Sequence, residues 1–293
     1  MGDGEFRIPP RRIGVAVKVS SPEAVRLGIG VMNELRRRGV EGVADRESAA
    51  ALGFPEGPDR AELGRAVDVV LVLGGDGTFL SASRGCPAGT AVAGINLGTL
   101  GFLTEHAPSE TFHLLDAVCS GQVVVERRAR LRAVVNNGRQ TWEMQALNDV
   151  VVTKAALARI LNIRVMVGGE VLTHLRSDGL ILATPTGSTA YNLSAGGPIV
   201  HPGLDALIIT PICSHGLTQR PVVVPMNLPV KVWVEDDRGG GYLTVDGQLG
   251  VPLPSGVEVE IGPSPEPLAV IREPSSSFFS ILHHKLKWGE RSG

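Results

Sequence analysis

Gly74-Gly75-Asp76-Gly77-Thr78 follows directly on the apolar run DVVLVL, Asp68 to Leu73. Two readings compete for it. Asp-Gly between apolar runs is a strong hairpin signal, which would make the segment a plain reversal between neighbouring strands. Alternatively, the glycines let backbone amides approach an anion closely while a following helix adds its positive end. On that second reading Asp76 is the anomaly, because bound phosphates repel a carboxylate. It has a place there only with a task, taking a proton from an attacking hydroxyl or holding a metal, and phosphoryl transfer uses both. The preceding run is apolar throughout instead of alternating, and TFLSASRG after it is rich in small residues that suit a helix start; both count against the hairpin.

A second stretch, SDGLILATPTGSTAYNLSAGGPIV from Ser177 to Val200, runs from a continuously apolar strand into Pro185-Thr186-Gly187-Ser188-Thr189. A short helical segment then ends at Gly196-Gly197-Pro198. Ser188 as a nucleophile lacks the Gly-x-Ser-x-Gly frame, and no His partner is indicated nearby. A hydroxyl-rich loop offering donors to a ribose or base fits better, with a plain turn as its rival. Tyr191 could lay its ring on a base or simply pack. The third stretch, ALNDVVV from Ala146 to Val152, places Asn148-Asp149 ahead of a strand, and alone it reads as a turn.

These segments need elements to hold them. IGVAVKV (Ile13 to Val19) is a β-branched strand, and Ser20-Ser21-Pro22-Glu23 opens a helix that stops at Gly39. DVVLVL and AVAGI (Ala91 to Ile95) are apolar at nearly every position, as in parallel strands covered on both faces. This is a doubly wound α/β domain of the Rossmann or flavodoxin kind, set at residues 12–127. From Arg130 the character changes to short runs, among them LRAVV, DVVVT, NIRVMV, LILAT, ALIIT, VKVWV, GYLTV and VEVEI, broken by Gly, Pro, Asn and Asp. That spacing predicts a β-rich, mostly antiparallel domain over 128–271. SSSFFSILHHKLKWGE is helical again, so 272–293 is expected to return to the first domain.

Composition narrows the class. With 293 residues, 43% hydrophobic and 20% charged, the chain reads as a soluble protein of two domains. No apolar run approaches the roughly 18 residues of a membrane span. A net charge of −2 argues against nucleic acid as a partner. Cys86, Cys119 and Cys213 are odd in number and lack Cys-x-x-Cys spacing, which points to reduced thiols in the cytoplasm. The histidines show no His-Glu-x-x-His, and no residues are assigned as metal ligands.

With these segments laid out, the chain resembles the NAD kinase family. GGDGT (Gly74 to Thr78) matches the family's catalytic signature, and INLGTLGFLTE (Ile95 to Glu105), LND (Leu147 to Asp149), the stretch from Ser177 to Ile199 and VDGQ (Val245 to Gln248) follow in the family's order. Gly-Gly-Asp-Gly alone is shared with phosphofructokinases and lipid kinases; the long motif from Ser177 separates them. The resemblance implies transfer of the γ-phosphoryl of ATP to the 2′-hydroxyl of the adenosine ribose of NAD, with a divalent ion such as magnesium shielding the donor phosphates. It makes Asp76 the general base, with Gly74, Gly75, Gly77 and Thr78 near the phosphates. Asn148 and Asp149 would hydrogen-bond the dinucleotide's sugars and base. Thr186, Thr189, Ala190, Tyr191, Asn192, Leu193 and Ser194 would line the nucleotide pocket, and Arg159, Arg176, Asp178 and Gln248 fall at further binding positions. A homo-oligomer, dimer or tetramer, is implied as well. Many members carry Asn-Glu where this chain has Asn148-Asp149, which draws the carboxylate back by about one carbon–carbon bond. A catalytically idle dinucleotide-binding regulator and a lipid kinase are the alternatives.

Overall fold

A computed structural model of the chain describes residues 4–6, 9–154, 160–235 and 240–288. The chain divides into two compact units, one of residues 1–127 with 268–293, the other of residues 128–267.

The first unit is built on a seven-stranded sheet. Its centre is parallel: Val69–Gly74 lies between Arg12–Val17 and Ala91–Asn96, with Glu41–Ala44 outside Arg12–Val17 and Leu268–Arg272 beside Ala91–Asn96. Every residue of Val69–Gly74 and of Ala91–Asn96 is buried, which is why these strands carry no polar alternation. The helix Pro22–Arg37 starts where expected, with the Ser21 hydroxyl accepting the Ala24 amide at 3.3 Å, and it ends before Gly39 at φ +70°. Ile13, Val15, Val31, Leu35, Leu71, Leu73, Ile95 and Leu115 form its core.

The returning C-terminal segment brings more than a helix. It enters with the strand Leu268–Arg272, which joins the parallel sheet, and only then forms the helix Phe278–Leu286. Ser277 caps that helix, accepting the Ser280 amide at 3.0 Å, and Ile281 and Leu282 are its buried residues.

The second unit contains two six-stranded sheets, and every strand pair described in them is antiparallel. Val150, Val152, Leu180, Leu182 and Leu243 from one sheet share a core with Leu131, Ile163, Val165, Val232 and Val259 from the other. The first of these sheets is also covered on its far side, where Val151, Ile181, Ala183 and Ile208 pack with Val200. Double coverage explains the unbroken apolar runs DVVV and GLILA. Thr141–Ala146, Glu170–Ser177 and Leu249–Leu253 are strands too polar or too interrupted to be read from the sequence pattern.

Candidate functional site

Gly-Gly-Asp-Gly is a strand-to-helix junction, so the hairpin alternative falls. The strand Val69–Gly74 ends, Gly75 caps, and the helix Asp76–Ser83 begins with Asp76 as its first residue. The amides of Thr78 and Phe79 both donate to the Gly75 carbonyl at 3.0 Å. A carboxylate at that end of the helix is favoured by the dipole. None of the three glycines has a positive φ. A Cβ on Gly74 would crowd Thr78, whereas on Gly75 or Gly77 it would meet no protein atom within 4 Å. Internal packing therefore does not demand glycine at 75 or 77.

The Asp76 side chain is fixed from a distance in sequence. Its Oδ2 accepts the Phe102 amide at 3.0 Å; its Oδ1 accepts the Leu103 and Thr104 amides, each at 3.2 Å, and the Thr104 hydroxyl at 3.0 Å. Asn96 holds the same loop, donating to the Thr99 carbonyl at 2.8 Å and to Thr104 Oγ1 at 3.1 Å. Gly101 is required, because a Cβ there would fall within van der Waals contact of Asp76 Oδ1 and Thr104 Oγ1. A carboxylate offers about four acceptor positions. With two such positions on each oxygen, Oδ1 is shared among three donors, while Oδ2 has one donor and keeps one position open.

In the second unit, three strand ends meet at one end of a sheet. The strand Asp149–Lys154 lies between Gly179–Ala183 and Gly241–Val245. The start of the first therefore lies beside the ends of the other two. Asp246, at φ +51° in the turn Val245-Asp246-Gly247-Gln248, accepts the amides of Leu147 (3.0 Å), Asn148 (2.7 Å) and Asp149 (3.1 Å). Thr184 Oγ1 donates to the Leu147 carbonyl at 2.6 Å and accepts the Gly187 amide at 3.0 Å. A Cβ on Gly187 would strike the Asn148 carbonyl, so here glycine is needed for close approach of backbone to backbone. Asp149 is 4% exposed, and no described residue donates a hydrogen bond to its carboxylate. Burial, and then the charge of Asp246, push its carboxyl up to about 7.

The hydroxyl-rich segment divides into structural and accessible residues. Ser188 is fully buried, donates to the Pro185 carbonyl at 2.6 Å and accepts the Val200 amide at 3.0 Å, which ends the nucleophile reading. The Asn192 side chain is structural. Expected to line a nucleotide pocket, its side chain is fully buried, donates to the carbonyls of Ser188 and Pro198 at 3.0 Å each, and accepts the Thr210 hydroxyl at 2.6 Å. Its amide holds the segment in place. Thr186 is 8% exposed, Thr189, Ala190 and Leu193 are half-buried, and Tyr191 and Ser194 are exposed. Asp178 is ion-paired with Lys154 at 2.8 Å, Arg176 is exposed on the strand Glu170–Ser177, and Gln248 is exposed in the Asp246 turn. Arg159 lies outside the described residues. Asp246 was missed by sequence reasoning; its signal was the Asp-Gly turn within VDGQ, read only as part of a motif.

Known proteins resemble both units. The model of the ATP-NAD kinase N-terminal domain matches residues 14–123, and that of the ATP-NAD kinase C-terminal domain matches residues 147–273. The NAD kinase of Syntrophotalea carbinolica is 43% identical over 284 residues, covering 96% of this chain and 100% of that protein. The NAD kinase of Geobacter sulfurreducens is 40% identical over 283 residues, at 96% and 100% coverage. Among solved structures, an NAD kinase from Archaeoglobus fulgidus in complex with ATP superposes with a TM-score of 0.75 at 27% identity, covering 93% of this chain and 99% of that one. Yeast NADH kinase complexed with NADH shares the fold, with a TM-score of 0.89 at 24% identity over 97% of this chain and 90% of that one. The chain belongs to the NAD kinase family.

Proposed function

We propose that this protein transfers the γ-phosphoryl group of ATP to the 2′-hydroxyl of the adenosine ribose of NAD, giving ADP and NADP. The observation that carries the mechanism is the Asp76 carboxylate, set at a helix start and held by Phe102, Leu103 and Thr104 with one acceptor position open on Oδ2. The ribose oxygen attacks the γ-phosphorus, the bond from that phosphorus to the β–γ bridging oxygen breaks, and ADP leaves. Asp76 Oδ2 takes the hydroxyl proton and later yields it to water. Because the transition state is loose, the proton leaves late, and position matters more than basicity. Gly75 and Gly77, where a side chain would meet no protein atom, let phosphates approach the backbone.

Asn148, Asp149, Thr186, Thr189, Ala190, Tyr191, Leu193 and Ser194 are assigned to the sugars and base, and Arg176, Asp178 and Gln248 to outer contacts. A divalent ion belongs to this reading as a shield for the phosphates. The one free acceptor position on Asp76 is no protein cage for it, so its ligands would be the donor's own phosphate oxygens and water. The three cysteines are free thiols, which supports a reducing cytoplasmic setting. Among the described residues no helix is long and apolar enough to cross a membrane. Val171 at 55% exposure and Leu217 at 91% offer apolar surface for the homo-oligomer, dimer or tetramer.

The test is NADP formation by purified protein with ATP, NAD and a divalent ion. Wild-type protein inactive across a screen of donors and ions, yet binding NADP tightly, would instead favour the idle regulator.

A further inference from the structure

His106 immediately follows the loop that holds Asp76, and the family signature does not include it. His106 is 2% exposed, and among the described residues neither ring nitrogen makes a well-aligned hydrogen bond. An imidazole so poorly satisfied at that depth is costly. Nδ1 lies 3.3 Å from Glu273 Oε2. One ligand atom each from His106, Glu110 and Glu273 gather within 4.8 Å of one another.

The two carboxylates are already oriented. Glu110 Oε2 accepts the Ala107 amide at 2.7 Å. Glu273 Oε1 accepts the Ser275 amide at 3.2 Å and its hydroxyl at 2.9 Å, while Oε2 faces His106. Each thus keeps an oxygen for another partner, the arrangement by which outer hydrogen bonds aim metal ligands. A separation of 3.3 Å is the edge of a tetrahedron whose centre lies about 2.0 Å from its corners, the bond length of zinc to imidazole or carboxylate. A cavity of about 180 Å³ lined by His106, Glu110, His113, Arg272 and Glu273 gives water a place to complete the coordination. The local charge also favours a cation, because Arg272 is already paired with Glu105 at 2.8 Å and with Glu126, so that among the described residues neither Glu110 nor Glu273 pairs with a Lys or Arg.

We propose that His106, Glu110 and Glu273 bind a divalent transition ion of the zinc class, outside the residues assigned to phosphoryl transfer. One imidazole with two carboxylates and no thiolate suits zinc or manganese better than magnesium. The ion would tie the C-terminal segment, through Glu273, to the end of the loop whose Thr104 donates to Asp76. It is a fastening for the loop, and it takes no part in the chemical step.

The test uses full-length protein stripped with a chelator and titrated with Zn²⁺ against a chromophoric competitor. One equivalent is expected, and Co²⁺ in its place should give visible d–d bands without thiolate charge transfer in the near ultraviolet. The double variant Glu110→Gln/Glu273→Gln should lose that equivalent. Its metal-free melting temperature should match metal-free wild type, and only wild type should gain stability as Zn²⁺ is added. His106→Gln, a buried change, serves as a second variant with the same expected loss. Unchanged stoichiometry and affinity in the double variant, a thiolate signature from a cysteine, or no equivalent bound by wild type would each overturn the proposal. None of these readouts depends on NADP formation.

Discussion

Asp246 donates its backbone amide to the Asp149 carbonyl at 2.9 Å and accepts the Asp149 amide at 3.1 Å, while the two carboxylates sit close enough to repel. One residue thus fixes its neighbour's backbone and perturbs its side chain. Asp246 accepts three amides, and its charge adds to burial in favouring the protonated form of Asp149.

A pH dependence of stability follows. Burial and the charge of Asp246 push the Asp149 carboxyl up to about 7 in the folded protein, against about 3.9 in an unfolded chain. The folded state binds the proton more tightly, so this group's contribution is greatest below about pH 4, falls as pH rises to about 7, and is flat above. Asp149→Asn cannot ionise. Its stability relative to wild type should improve from pH 5 to pH 8 by an amount on the order of a few kcal/mol, read by denaturant unfolding at the two pH values. An equal difference at both would show that Asp149 is ionised throughout.

Asp76→Asn should lower turnover by about 10²–10⁴-fold, the usual worth of a positioned base, with the NAD dissociation constant little changed. The same change obliges an NH₂ group to replace an acceptor among four donors, so a modest fall in melting temperature is expected alongside. Calorimetric NAD titration beside steady-state assays separates the two effects; full activity in the variant would remove Asp76 from the role of base.

Gly101→Ala tests the loop without touching the carboxylate. The added methyl would occupy the space of Asp76 Oδ1 and Thr104 Oγ1 and displace the acid. A shift of about 1 Å costs on the order of 100-fold in rate, so kcat should fall by about that factor while the KM for NAD holds. A crystal structure of the variant should show the carboxylate turned away from the donors of Phe102, Leu103 and Thr104.

Two glycines should respond in opposite ways. At Gly77, inside a helix with open space at its Cβ, alanine should keep or raise stability by up to about 1 kcal/mol yet weaken ATP or NAD binding. At Gly187, alanine meets the Asn148 carbonyl and should cost about 1–3 kcal/mol in unfolding free energy. Thermal unfolding paired with binding assays distinguishes them. A Gly77→Ala protein that binds both nucleotides normally would show that no phosphate approaches that backbone.

Several elements were legible because their cause is local. The Ser21 cap, the Gly39 stop, the all-apolar strands around Leu71 and Val92, and the helical character of the C-terminal tail each follow from a few adjacent residues. The strand Leu268–Arg272 was not legible as part of the first unit's sheet, since nothing within LAVIR states which sheet it joins. The Asn192 environment was not legible for a related reason: nothing in a polar, glycine-rich segment says that Ser188, Pro198 and Thr210 close around its amide.

By itself, the sequence determined the kinship of the chain, the change from an α/β to a β-rich character, and the carboxylate at position 76 between glycines, because motif spacing and apolar period are written in neighbouring residues. Only the tertiary structure decided what fixes that carboxylate and what perturbs the second one. The Asp76 donors lie 26 to 28 residues away, and Asp246 lies 97 residues beyond Asp149. Such pairs are set by sheet order and strand register, which no local pattern encodes. The meeting of His106 with Glu273 is decided in the same way, by a C-terminal strand that joins the first unit's sheet.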